Sequence, residues 1–139
     1  MGRPFVSIRY HFVWSTRGRQ PLLSDALAHG VYACVQAKCA ELGVAPLAVG
    51  GVEDHMHLLV GAPASLAPST LIGQVKGVSS HLLNHALAAT DPFAWQRGYG
   101  VFTVSRDHEA LVRAYVLGQR LHHNRATLWP ELERCDDET

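Results

Sequence analysis

The spacing of hydrophobic and polar residues changes within the first third of the chain. Residues 5–15 alternate between the two classes and are rich in aromatic and β-branched side chains, which predicts a half-buried strand. Residues 26–42 instead place apolar side chains at helical spacing, with Ser24 as a candidate N-cap and Gly43 as the stop signal. The pattern therefore predicts a strand followed by a helix.

Beyond Gly43 the same two periods recur. They predict three strands, at 44–52, 55–60 and 101–105, and two helices, at 68–89 and 109–123. The resulting order, β-α-β-β-α-β followed by a helix, is typical of the ferredoxin-like α+β fold. We therefore expect a single domain over residues 1–139, with an antiparallel sheet, helices on one face and a C-terminal helix. A dimer partner or a nucleic acid is expected to cover the other face.

Local signals refine these boundaries. The Glu53-Asp54 pair is a two-residue turn, so the second and third strands are expected to form a hairpin. The Gly50-Gly51 pair predicts a bulge or a bend in the second strand. Asp107 is expected to cap the last helix. The tail from about residue 125 is polar and is expected to fray, or to fold only against a partner.

Composition excludes several classes of protein. The 139 residues are 47% hydrophobic and only 17% charged, a balance that argues against intrinsic disorder. Twelve Lys and Arg are matched by twelve Asp and Glu, so any contact with nucleic acid must come from local patches rather than a polybasic coat. No apolar run is long enough to span a membrane. The three Cys show no CxxC spacing, which favours a reducing, cytoplasmic compartment.

A histidine pair in the third predicted strand is the sharpest chemical signal. Residues i and i+2 of a strand point to the same face, so His55 and His57 are expected side by side, with Met56 and Leu58 directed into the core. Two adjacent imidazoles are a natural two-ligand site for a divalent metal ion. The alternative is an ordinary histidine pair at the surface or the core edge. Two ligands are too few for a metal, so a third must come from elsewhere.

The last predicted helix carries an unusual polar face. Tyr115 and Gln119 are four residues apart and so share a face, with His122 close to the same line. Val112 and Val116 form the side expected to pack on the core. An amphipathic surface helix is the alternative interpretation for Tyr115 or Gln119 taken alone. The combination indicates a helix that presents functional groups.

Five segments of the chain together resemble a known family. They are 10–17 (YHFVWSTR), 53–60 (EDHMHLLV), 76–80 (KGVSS), 95–105 (WQRGYGVFTVS) and 115–123 (YVLGQRLHH). In this order, over about residues 5–130, they resemble the single-tyrosine HUH transposases of the insertion-sequence 200/605 class. HUH denotes two histidines that flank a bulky hydrophobic residue. One such motif would be weak, whereas five in order are specific.

The resemblance implies roles for particular residues. It assigns the HUH pair to His55 and His57, the catalytic tyrosine to Tyr115 and the third metal ligand to Gln119, around Mg²⁺ or Mn²⁺. It also implies metal-dependent cleavage and rejoining of single-stranded DNA at insertion-sequence ends, through a covalent phosphotyrosine intermediate. Those ends are recognised as hairpins. A homodimer is implied as well, in which the tyrosine helix of one subunit can complete the HUH site of the other.

DNA contacts are expected from a few polar side chains, for each of which a plain solvated surface position is the alternative. They are Arg17, Lys76, Ser79, Arg113 and Arg120. Two other functions stay open. One is a domesticated relative that processes repeated chromosomal hairpins. The other is a non-catalytic ferredoxin-like nucleic-acid-binding module, which would not need Tyr115 or the metal ligands.

Overall fold

The computed structural model describes residues 2–85, 92–119 and 128–135. Four strands form one sheet: β1 Ile8–Ser15, β2 Ala45–Val52, β3 His55–Ala62 and β4 Gly100–Thr103. Their order across the sheet is β2-β3-β1-β4, and every neighbouring pair is antiparallel. This arrangement confirms the α+β, ferredoxin-like fold and the β2–β3 hairpin predicted from the sequence.

The helices lie on both faces of this sheet. Helices α1 Asp25–Glu41 and α2 Pro68–His85 share a hydrophobic core with one face, to which β1 contributes Phe12 and Trp14 and β3 contributes Met56 and Leu58. Helix α3 Glu109–Leu117 packs on the opposite face, against β2 and β3. The face that was expected to await a partner is therefore covered in part by the chain's own C-terminal helix.

Of the bulge or bend predicted at Gly50-Gly51, the bulge is wrong. Both glycines pair regularly with β3, and the register shift between these two described strands lies between Pro46 and Ala48. A Cβ at Gly50 would lie 2.2 Å from the Val116 carbonyl oxygen. A glycine inside a strand also permits close approach of another backbone, and here that backbone is α3.

The start of the last helix also differs from the prediction. A 3₁₀ turn, Arg106–His108, precedes α3, so Asp107 lies inside that turn and His108 occupies the N-cap position without a side-chain capping bond. Gly118 is the C-cap of α3. The predicted helical positions 86–89 and 120–123 lie outside the described residues.

The described part of the tail folds back onto the domain, so the expectation that it frays is wrong for residues 128–135. A 3₁₀ turn spans Pro130–Glu133, and Cys135 is buried. A Cβ at Gly100 would lie only 1.8 Å from the Arg134 carbonyl oxygen, which shows how closely this segment passes the start of β4. We call residues 128–135 the return segment. Among the described helices, none is long and apolar enough to cross a membrane.

Candidate functional site

Strands β1 and β3 place three histidines on the α3 side of the sheet. His11, His55 and His57 are all almost completely buried. The rings of His11 and His57 are stacked with centroids 5.0 Å apart, and those of His55 and His57 meet edge to face at 5.2 Å. Strand alternation therefore brings the predicted pair together, as expected, and adds a third imidazole from β1.

Each histidine of the HUH pair has its Nδ1 atom engaged by a neighbour. His55 Nδ1 lies 2.7 Å from Asp54 Oδ1, and His57 Nδ1 lies 2.8 Å from His11 Nε2. With the proton on Nδ1, each ring donates to that neighbour and leaves its Nε2 lone pair for a metal ion. Asp54 and His11 thus orient the two Nε2 atoms, a role that the sequence did not reveal for His11.

Helix α3 carries the predicted tyrosine, and the predicted glutamine lies beside it, just beyond the Gly118 C-cap. The ring of Tyr115 meets that of His57 edge to face, with centroids 5.8 Å apart. Gln119 is buried beside it and its Nε2 donates to the Tyr115 carbonyl oxygen at 3.1 Å. Tyr115 is itself only 1% exposed, so it does not lie on a solvent-facing surface of the helix. All four predicted residues therefore meet within one chain.

The return segment contributes two residues that the sequence analysis did not identify. The Glu133 carboxylate lies between the HUH rings, with Oε2 2.6 Å from His57 Nε2 and Oε1 3.6 Å from His55 Nε2. Trp129 stacks on Tyr115 at 4.8 Å, and its backbone N–H donates to the Tyr115 hydroxyl oxygen at 3.0 Å. The sequence signal for this contact was the apolar Leu128-Trp129 pair inside a mostly polar tail.

The electrostatics follow from burial and from these contacts. Burial disfavours the charged form of His55, but the carboxylates of Asp54 and Glu133 outweigh it and raise its pKa to about 9. Burial likewise disfavours the charged form of Glu133, yet the two imidazoles hold its pKa well below the usual range. Burial, reinforced by His57, lowers the pKa of His11 to about 3. Burial is also the main cause of the raised pKa of Tyr115.

The residues present fit a divalent cation. One ligand atom from each of His55, His57 and Glu133 can be chosen so that all three lie within 4.8 Å of one another. Two ligands bound at about 2.0–2.2 Å to one ion lie at most about 4.4 Å apart, so only small shifts are needed to seat a metal. Gln119 is adjacent, and its role as a ligand stays a prediction.

The residues predicted to contact DNA have different surroundings. Ser79 is fully buried in α2, where its hydroxyl donates to the Val75 carbonyl oxygen and accepts from Trp95 Nε1. The structure thus gives Ser79 a packing role and removes it from contact with phosphate. The reason is its helical phase, which directs it into the core beside Val75.

The predicted basic residues differ in their surroundings. Lys76 donates to the carbonyl oxygens of Gln96 and Gly98, at 2.8 and 2.9 Å, and so holds the loop before β4. Arg17 and Arg113 are exposed, and their role in DNA contact stays a prediction. Arg120 lies outside the described residues.

Comparisons with known proteins agree on one family. The family model described as "Transposase IS200 like" matches residues 5–119. The chain is similar to the ISDra2 transposase TnpA of Deinococcus radiodurans, with 25% identity over 124 residues that cover 85% of this chain and 89% of the relative. It is also similar to the transposase for insertion sequence element IS200 of Salmonella typhimurium, with 26% identity over 116 residues that cover 80% and 76% of the two chains.

Two solved structures share the architecture. A crystal structure described as a transposase from Deinococcus radiodurans R1 superposes with a TM-score of 0.67 and 26% identity, over 84% of this chain and 94% of that one. A REP-associated tyrosine transposase bound to a REP hairpin superposes with a TM-score of 0.66 over 100% and 92% of the two chains. Its identity is 13%, so this second likeness concerns the fold.

Proposed function

The chain belongs to the IS200-like transposase family, and we propose that it cleaves and rejoins single-stranded DNA through a covalent bond between Tyr115 and the DNA. The observation that carries this proposal is the contact of Tyr115 with the His55–His57 pair within one chain. A nucleophile beside a candidate metal site is what a phosphoryl transfer to tyrosine requires.

A covalent intermediate solves an energetic problem of strand transfer. The Tyr115 hydroxyl oxygen attacks the scissile phosphorus and loses its proton, while the bond to the 3′ oxygen breaks and leaves a free DNA 3′-OH. The phosphotyrosine keeps the bond energy, so a 3′-OH can later attack it, release Tyr115 and reseal the strand. The two steps are nearly isoenergetic and use neither a nucleotide cofactor nor a redox reaction.

The surroundings of Tyr115 prepare it for this role. Because burial raises its pKa, the phenol is protonated in the resting protein and the phenolate needs stabilisation. The backbone N–H of Trp129 donates to the phenolic oxygen and so supplies part of that stabilisation. Mg²⁺ or Mn²⁺, held by His55, His57 and Gln119, would polarise the scissile phosphate and offset charge on the leaving 3′ oxygen.

The proposed substrate is single-stranded DNA whose ends form hairpins, at the ends of an insertion sequence. A fold relative is described in complex with a hairpin, which supports a hairpin-binding surface on this architecture. With a net charge of zero, the protein must use local groups for binding. The proposed phosphate contacts are the basic side chains of Arg17, Lys76, Arg113 and Arg120.

We expect the active form to be a homodimer. Within the described residues β4 is an edge strand, and an apolar hollow beside it is lined by Phe102, Leu111 and Trp129. An unpaired sheet edge with apolar surroundings favours association. Since Tyr115 contacts His57 of its own chain, a mixture of Tyr115→Phe and His57→Asn is expected to form no adduct. Restored activity would instead show that the two chains exchange tyrosine helices.

A gel experiment tests the proposed chemistry. Labelled single-stranded DNA carrying the end hairpin of the element is incubated with the protein and Mg²⁺ or Mn²⁺, then run under denaturing conditions. A covalent adduct is expected for the wild type and absent for Tyr115→Phe or after EDTA. Tyr32→Phe is the matched control, because Tyr32 lies on α1 at the other face of the sheet and its loss should leave the adduct intact.

The outcomes separate the competing functions. Hairpin binding without an adduct would indicate the non-catalytic binding module and reject the proposal. An adduct formed on isolated repeated hairpins but not on insertion-sequence ends would indicate the domesticated relative, which uses the same chemistry on another substrate. Neither binding nor adduct would reject the DNA substrate itself.

A further inference from the structure

We propose that Glu133 is a metal ligand of the HUH site, so that the return segment supplies a carboxylate to a two-histidine, one-carboxylate centre. This inference rests on the proposed function, because it concerns the cation that the site would use. The observation behind it is that Glu133 places both carboxylate oxygens toward the Nε2 atoms of His55 and His57.

The two imidazoles are already oriented for such a ligand set. Asp54 and His11 engage the Nδ1 atoms of His55 and His57. Both Nε2 atoms therefore face the Glu133 carboxylate. The N···O separations of 2.6 and 3.6 Å lie close to the spacing of about 3 Å expected for neighbouring ligands on one ion. The carboxylate thus lies where a ligand belongs.

The position of Glu133 does not depend on its charge alone. The return segment is held before it by Trp129, which stacks on Tyr115, and after it by the buried Cys135, whose sulfur lies 3.8 Å from Arg19 Nη2. The Arg134 carbonyl oxygen packs into the space left by the missing side chain of Gly100. Contacts on both sides of Glu133 therefore direct its side chain toward the histidines.

Ligand chemistry also favours a carboxylate at this position. Mg²⁺ and Mn²⁺ are hard ions that prefer charged oxygen ligands, and two imidazoles with one neutral amide bind them weakly. Two histidines and one carboxylate form a three-ligand face that leaves the remaining positions open for phosphate and water. Glu133 would therefore supply the affinity, with Gln119 as a further neutral oxygen donor at the same site.

Calorimetric titration of the DNA-free full chain with Mn²⁺ at pH 7.5 tests the proposal. Glu133→Gln keeps the shape of the side chain and removes its charge, and it is expected to weaken Mn²⁺ binding by at least about tenfold, since even ligand-orienting residues are worth 10–100-fold. Glu131→Gln is the matched control, because Glu131 is exposed in the same turn and its change should leave the affinity unaltered. Thermal unfolding without metal verifies that each variant is folded.

The opposite result is equally informative. If Glu133→Gln binds Mn²⁺ as tightly as the wild type or more tightly, Glu133 is a competitor that occupies the site in place of the metal, and the proposal is overturned. Absence of Mn²⁺ binding to the folded wild type would overturn it as well. In either case the adduct gel with Tyr115→Phe decides the proposed function separately, because it reports on the nucleophile rather than on Glu133.

Discussion

Neighbouring residues of β3 lie on opposite faces of the sheet, and the two faces differ in what stabilises them. Met56 and Leu58 join the large apolar core under α1 and α2. His55 and His57 lie on the other face, under α3 and the return segment. All four side chains are nearly or fully buried, so the contrast is one of chemistry and not of exposure.

The apolar face is stabilised by non-directional burial, which tolerates small errors in position. The polar face buries imidazoles, a phenol and a carboxylate, each of which costs free energy unless it finds a partner. Here the partners are one another: His57 lies between His11 and Glu133. The first face is therefore expected to set the stability of the fold, and the second to set activity and the response to pH.

Leu58→Ala should give the largest loss of stability. Leu58 is fully buried, and such a truncation in a core costs about 2–5 kcal/mol of unfolding free energy. Urea denaturation measures this loss. Because the side chain points away from the histidines, adduct formation per folded molecule should stay at the wild-type level. A matching loss of activity in the folded fraction would show that the two faces are not separable.

Gly50→Ala should displace helix α3 and so disturb the polar face without changing any of its polar side chains. The added methyl group would collide with the Val116 carbonyl oxygen and push α3, with Tyr115, away from His57. A displacement near 1 Å can cost about 10²-fold in rate, whereas the overpacking itself should cost about 1–3 kcal/mol.

Gly61→Ala provides the control for this change. Its Cβ would make only an ordinary 3.7 Å contact with Ala45, so both activity and stability should be preserved. Initial rates of adduct formation and urea midpoints for the two variants test the comparison. Equal rates for Gly50→Ala and Gly61→Ala would mean that the close approach of α3 does not position Tyr115.

The two faces also differ in how far the sequence predicts them. Alternation in β3 predicts both the core position of Leu58 and the pairing of His55 with His57, because strand period is a local property. The position of Glu133 could not be predicted, since the tail that carries it is polar in composition and its two histidine partners lie more than 70 residues earlier in the chain. His11 was missed because one histidine among aromatic residues forms no repeating pattern that would mark it as part of a site.

His11 offers the most specific test of the contrast between the faces. Burial lowers its pKa in the folded protein to about 3, below the value of about 6.5 for an exposed histidine. The unfolded chain therefore binds this proton more readily, and the unfolding free energy must fall as the pH drops from about 7 toward 3. Between pH 7 and pH 5 the contribution of His11 amounts to about 2 kcal/mol.

Comparison of variants isolates this contribution in the metal-free protein. His55 contributes with the opposite sign, since its raised pKa favours the folded state at lower pH, but it is present in every variant and largely cancels in differences. Urea denaturation in EDTA should show that wild-type stability falls more steeply from pH 7 to pH 5 than that of His11→Asn. Parallel slopes for the two proteins would mean that protonation of buried His11 costs no stability, and the contrast between the two faces would then fail.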